Sequence, residues 1–279
     1  MKRAIEEKQL GNFERYLRAE ERSEATVGKY MHDVRCFAVY AKTERLNRET
    51  VLAYKAMLGE RYAVASANSM IAALNCFFRF CGWHELIVKR FKMQRVVYTT
   101  EEKELTRAEY FRLIEAANAK KNERLKLIIQ TICATGIRVS ELQYITVGAI
   151  RRGEAEVNCK GKSRRIFIVP SLRKKLLKYV KERKIESGSV FVTRRANPVS
   201  RNSIWKDMKS LCQMARVSPA KVFPHNLRHL FARTFYNIEK DIAKLADILG
   251  HASIDTTRIY IVTTATEHKR KMENMRLII

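Results

Sequence analysis

The chain has 279 residues, 46% of them apolar, enough for two modest domains with buried cores. Its 55 Lys and Arg against 29 Asp and Glu leave a formal charge of +26, which favours a polyanionic partner through phosphate neutralisation and counterion release. Met1 to Lys8 lacks the apolar run of a secretory signal, Met70 to Trp83 is broken by Asn75 and Arg79 and is too short to span a bilayer, and six scattered cysteines without a C-x-x-C pair argue against a zinc site or a disulfide framework.

The first ninety residues read as helices. Ser23 is placed to cap a helix whose apolar positions Val27, Tyr30, Met31, Val34, Phe37, Ala38 and Tyr40 recur every three or four residues. A shorter helix is expected from Asn47 to Leu58, and a longer one from Ser66 to Cys81 carrying Ile71, Leu74, Phe77, Phe78 and Phe80. The aromatic cluster is read as core. Residues 92–104 lack periodicity and end in an acidic cluster, the composition of a linker. Thr106, with Glu109 three residues on, opens the next helix as a capping box.

Residues 1–100 hold 18 basic against 11 acidic residues, and residues 101–279 hold 37 against 18, so the second part carries most of the charge. There, Glu154 to Asn158 and Arg164 to Val169 alternate as two short strands around a turn, Cys159 to Ser163, that contains Gly161. Helix is expected for most of the chain after Pro170.

Three segments carry candidate chemistry. In Ala134-Thr135-Gly136-Ile137-Arg138-Val139-Ser140-Glu141-Leu142, Gly136 suits the left-handed residue that ends a helix, so Arg138 projects from a tight turn ahead of a helix begun by Ser140. Arginine suits a phosphate because its planar fork meets two oxygens and keeps its charge. In Pro224-His225-Asn226-Leu227-Arg228-His229, Pro224 fits a first helical turn, and His225 and Arg228, three apart, share a face. In Leu249-Gly250-His251 and onward, Asp241 caps a helix Ile242 to Leu249, Gly250 ends it, and Ser253 caps a short helix carrying Tyr260. Each piece alone fits a solvated charge or a packed ring, and charge alone fits a ribosome-associated protein.

Taken together, in this order and spacing, the pieces resemble the tyrosine recombinase, or phage integrase, family. The pattern T-G-x-R-x-x-E-L, a hairpin lysine, P-H-x-L-R-H, and L-G-H followed nine residues later by tyrosine is all present. The resemblance is close over residues 104 to about 262. It is looser over the helical first part, through Ser23, Thr26, Tyr30 and the Phe77-Phe78 helix. It implies a compact two-domain, Xer-like member, mainly α, with the DNA breaking-rejoining enzyme fold. A helical core-binding domain at 1–91 and a linker at 92–104 precede a mostly helical catalytic domain at 105–279 with one small antiparallel sheet. The chain would begin almost at the core-binding domain, without a separate arm-binding module.

The resemblance further implies the roles. Tyr260 is the nucleophile that forms a 3′-phosphotyrosine, Arg138 and Arg228 clamp the scissile phosphate, and His225 and His251 complete the pocket. Glu141 orients the cluster. The hairpin pattern points to Lys160 as the acid that protonates the leaving 5′-oxygen, with Lys162 the alternative two residues on. Lys162, Arg164 and Arg165 are expected to contact DNA. No metal and no cofactor is expected. The partners would be double-stranded recombination sites and other copies of the chain, in a tetramer on two sites, with no membrane and no small-molecule substrate. The site of action would be the cytoplasm, at the nucleoid. Thr264 to Glu267 would open a basic tail helix ending in Leu277-Ile278-Ile279, suited to docking on a neighbour. Two other readings stay open: a type IB topoisomerase that relaxes supercoils, and a DNA-binding regulator without catalysis.

Overall fold

The computed structural model describes residues 5–41, 46–93, 104–159, 162–251, 253–258, 260 and 273–274. The chain divides into two compact units, Met1–Arg95 and Val96–Ile279.

The first unit holds helices α1 (Glu7–Ala19), α2 (Glu24–Ala41), α3 (Arg48–Arg61) and α4 (Val64–Phe80). The last three follow the expected periodicity, and α1 precedes them, opened by a Glu6–Gln9 capping box. Asn47 caps α3 by accepting from the Thr50 N–H, which satisfies one of the free amides of a first turn. α4 begins two residues ahead of Ser66, at Val64. The aromatic residues form the core. Phe13, Phe37, Phe77 and Phe78 are fully buried, with Phe77 edge-on to Phe13 at 5.2 Å and to Trp83 at 5.9 Å. Each such ring contributes about 2–3 kcal/mol by leaving water.

Two buried asparagines on α4 act on the segment beyond it. Asn75 donates to the Val88 carbonyl at 2.8 Å and accepts from the Val88 N–H at 3.1 Å. Asn68 does the same with Phe91, at 3.0 and 2.8 Å. These amides satisfy backbone groups that no helix or sheet serves.

The second unit runs α5 (Arg107–Ala119), α6 (Glu123–Thr135), a 3₁₀ turn Val139–Tyr144, α7 (Val147–Arg152), β1 (Glu154–Cys159), β2 (Lys162–Phe167), α8 (Pro170–Glu182), α9 (Arg201–Lys209), α10 (Cys212–Ala215), α11 (Pro224–Glu239), α12 (Ile242–Leu249) and α13 (Ile254–Arg258). The Thr106–Glu109 capping box opens α5, with Thr106 N–H on Glu109 at 2.8 Å. β1 and β2 pair antiparallel, from Glu154 opposite Phe167 to Cys159 opposite Lys162. Toward the loop β1 therefore runs one residue and β2 two residues further than apolar alternation indicates, and β2 ends at Phe167, two residues short of the expected Val169. Lys162 and Ser163 pair through their backbones, which needs no apolar side chain. Ala155, Val157 and Ile166 turn into the core with Leu172 and Leu176 of α8. The fold is mainly α with one small antiparallel sheet. Among the described residues, no helix is long and apolar enough to cross a membrane. Residues 94–103, Lys160, and the tail from 261 onward, apart from Glu273 and Asn274, lie outside the described residues.

Candidate active site

Three helix ends and one helix face build the site. α6 stops at Thr135, and Gly136 takes the left-handed conformation with φ 63°. A side chain there would be strained, and its Cβ would overlap the Phe231 ring. The chain then turns into Arg138. This arginine caps the 3₁₀ turn Val139–Tyr144, which stands where a helix from Ser140 is expected. Glu141 draws the turn tight by accepting from the Arg138 N–H at 2.9 Å and from its guanidinium at 2.9 Å.

Glu141 is 4% exposed and also receives Arg164 at 2.5 Å. Burial alone would raise its pKa, but the Arg138 N–H and the two guanidinium groups outweigh burial and hold it below the usual carboxylate value. Arg164 also donates to the Ile248 carbonyl at 2.6 Å, and its side chain is 11% exposed. Alternation sets Arg164 on the same face of β2 as buried Ile166, and there the buried carboxylate and a helix-end carbonyl receive it. Arg165, next along β2, is exposed and lies opposite Glu156. The side chain of Lys162 and all of Lys160 lie outside the described residues, so the choice between them is unaffected.

α11 begins with Pro224 at its first turn and presents His225, Arg228 and His229 at spacings of three and four, which is one helix face. Arg228 is 1% exposed. It donates to the carbonyl of Gly136, the residue that ends α6, at 2.5 Å and to that of Leu249, the last of α12, at 2.7 Å. Its third contact is His251 Nε2 at 2.9 Å. Burial and the nearby Arg138 push its pKa down to about 10, with Tyr260 opposing, so it remains charged at neutral pH.

α12 is capped by Asp241, which accepts from the Lys244 N–H at 3.0 Å, and ends at a left-handed Gly250 with φ 65°. A Cβ at Gly250 would overlap the Arg164 side chain. His251 follows, and Thr257 Oγ1 stands 2.8 Å from its Nδ1. α13 ends at Arg258, so Tyr260 stands just past the short helix, in a turn whose N–H bonds the Thr257 carbonyl at 3.0 Å.

Tyr260 is 2% exposed. Its ring stacks on His251 with centroids 5.5 Å apart, meets His229 edge-on at 4.4 Å, and lies 6.0 Å from His225. Behind it are Ala232, Leu245 and Leu249. Burial first, then the guanidinium groups around it, push His251 to about 4. Burial, His225 and Arg228 push His229 to about 4. His225 keeps solvent access, yet partial desolvation, Arg228, Arg138 and Arg201 lower it too. The imidazoles of His229 and His251 are therefore neutral at pH 7.

The structure thus gathers Arg138, Glu141, His225, Arg228, His251 and Tyr260 in one pocket. It adds two residues that the sequence reading does not assign. His229 had a usable signal, four residues after His225 on the same helix face. Thr257 had none, because its contact depends on how the turn after Gly250 folds back. Among the described residues, no three His, Cys, Asp or Glu side chains gather as metal ligands.

Residues 103–267 match the phage integrase family, and residues 10–85 match the phage integrase N-terminal SAM-like domain. The tyrosine recombinase XerA of Pyrococcus furiosus is 32% identical, over 96% of this chain and 94% of its own length. The tyrosine recombinase XerC of Roseiflexus castenholzii is 30% identical, over 90% and 88%. Among solved structures, a XerA recombinase superposes with a TM-score of 0.54 at 25% identity, covering 98% of this chain and 99% of the other. A lambda integrase dimer bound to a COC′ core site has the same fold, with a TM-score of 0.73 at 20% identity over 91% and 94%. The chain belongs to the phage integrase family, the tyrosine recombinases, whose enzymes carry out site-specific DNA recombination.

Proposed function

We propose that this recombinase cleaves and rejoins DNA through a 3′-phosphotyrosine on Tyr260, with the pocket described above as its catalytic centre. The observation that carries the reading is the packing of Tyr260 against three imidazoles, beside a buried Arg228 whose hydrogen bonds go to uncharged acceptors. A buried cation so held favours an anion. Arg228 and the half-exposed Arg138 clamp the scissile phosphate and stabilise the added charge of its pentacoordinate transition state. His225 accepts the Tyr260 proton; its lowered pKa leaves the ring unprotonated, with a nitrogen open to receive it. Tyr260 attacks phosphorus, the P–O bond to the 5′-oxygen breaks, and Lys160 gives that oxygen its proton. The 5′-hydroxyl of a partner strand then attacks the phosphotyrosine and releases Tyr260. Phosphodiester bonds are conserved at each step.

Residues 1–91 serve as the core-binding part, 92–104 as the linker, and 105–279 as the catalytic part. Lys162 and Arg165 contact DNA beside the hairpin. Four copies act on two sites, with the tail docked between neighbours. A lambda integrase tetramer bound to a Holliday junction supports that assembly by analogy of fold. The enzyme would work where the DNA lies, at the nucleoid.

The test is a nicked suicide substrate that traps the covalent intermediate. An SDS-resistant adduct is expected, and it should form equally in excess EDTA, because the protein's own guanidinium groups supply the charge that a metal would otherwise provide. Adduct formation that requires added magnesium would overturn the mechanism. A second experiment separates the lysines. Lys160→Ala should slow cleavage strongly, and a 5′-bridging sulfur should restore it, since a thiolate leaves without an acid. Lys162→Ala should weaken binding and gain nothing from the sulfur. Rescue of Lys162→Ala alone would reverse the assignment.

A further inference from the structure

The contacts of His251 leave it one proton arrangement. Arg228 Nη2 stands 2.9 Å from His251 Nε2, and a guanidinium has donors only. Nε2 must accept, so the one proton of the neutral ring sits on Nδ1. Nδ1–H then donates to Thr257 Oγ1 at 2.8 Å. Thr257 is fully buried, so water does not replace its hydroxyl.

A phosphate entering beside Arg228 reverses the demand on His251. Phosphate oxygens accept hydrogen bonds, and the ring can reach them only with a proton on Nε2. That tautomer leaves Nδ1 as an acceptor, which a buried carbonyl or carboxylate could not satisfy. A hydroxyl can, because it rotates between accepting and donating. We infer that Thr257 is a positioning residue for His251, and that its hydroxyl accepts from Nδ1–H in the free enzyme and donates to Nδ1 when a phosphate is bound. The inference rests on reading the pocket as the phosphate site. The proton balance is simple: Nδ1 releases one proton to water, Nε2 takes one from water, and the ring stays neutral. The same residue also holds the nucleophile, since its carbonyl accepts from the Tyr260 N–H at 3.0 Å. One side chain and its own carbonyl thus tie the histidine to the tyrosine turn, and a shift of that turn alters both.

The test uses the full chain with ¹⁵N-labelled histidine, the His251 signals being identified by their loss in His251→Gln. Free wild-type protein should show the Nδ1–H tautomer, and saturation with a nicked half-site should convert it to Nε2–H. Thr257→Val keeps the shape and removes the hydroxyl. It should slow adduct formation by about tenfold, the effect of one buried hydrogen bond lost, while Thr257→Ser stays within about twofold of wild type. An Nε2–H ring in the free protein, an unchanged tautomer on DNA, or equal rates for the valine and serine variants would each overturn the inference. Failure of the broader reading is distinguishable: wild-type protein would form no covalent adduct at all, while the free-state tautomer would still report on the Thr257 contact.

Discussion

A Tyr260→Phe chain is expected to bind a half-site almost as wild type does and to form no covalent adduct. The substitution keeps everything the ring does for the fold. The stack on His251, the edge contact with His229 and the packing on Ala232, Leu245 and Leu249 all involve the ring and survive. Only the oxygen is lost, and with it the atom that would bond to phosphorus. Adduct yield on a nicked suicide site should fall below detection. Affinity in a gel shift at fixed salt should change little, because binding by so basic a chain comes mainly from phosphate neutralisation. An SDS-resistant adduct from the Phe variant would remove Tyr260 from the mechanism.

Glu141→Gln should damage both stability and cleavage. Glutamine keeps the shape but withdraws the charge that Arg164 meets inside the protein, and the Arg164 side chain is only 11% exposed. Breaking a buried pair in this way costs about 3–5 kcal/mol, which lowers the melting temperature of a unit this size by roughly 10 °C. Cleavage should fall further than stability explains, since Arg138 loses the carboxylate that orients it. A second change separates the two effects. Adding Arg164→Met removes the unpaired cation, so stability should recover in part while cleavage does not. The pH dependence has a definite sign. The Glu141 pKa is lowered in the folded protein, so its contribution is complete above the ordinary carboxylate value and is lost as pH falls through the lowered one. A Glu141→Gln chain should therefore lack that part of the acid-side fall in stability. A wild-type melting temperature for Glu141→Gln would show that Arg164 is held by its carbonyl contact alone.

Much of this molecule is local, and local features are legible in a sequence. Helix caps such as Asn47, Thr106 and Asp241 act within three residues, and the left-handed ends at Gly136 and Gly250 need one residue type each. Apolar periodicity marked α2 and α4 because each packs one face into one core. The hairpin was harder at its tip, where polar residues pair through backbone alone. The site divides in the same way. The spacing of Arg138, His225, Arg228, His251 and Tyr260 is legible because it resembles a known pattern, and the fold brings these side chains near one another. Alternation sets Arg164 on the inward face of β2 with Ile166, but it does not reveal that a buried carboxylate from 23 residues earlier receives it there. Thr257 escaped because an interaction across a folded-back turn leaves no period.

The two asparagines of α4 bear on how the chain carries load where it leaves the first unit. Asn68 and Asn75 stand seven residues apart, a rise of about 10.5 Å along a helix. Their partners Phe91 and Val88 stand three apart, a reach of about 10 Å in extended chain. Helix and extended chain thus share a common pitch over this stretch, and the two amides engage it at both ends. A pull along Val88 to Phe91, parallel to α4, loads both clamps together and does not peel them open one after the other. The first unit thereby fixes its own segment from Val88 to Phe91 along α4 with two side-chain amides, where no strand among the described residues is paired to it.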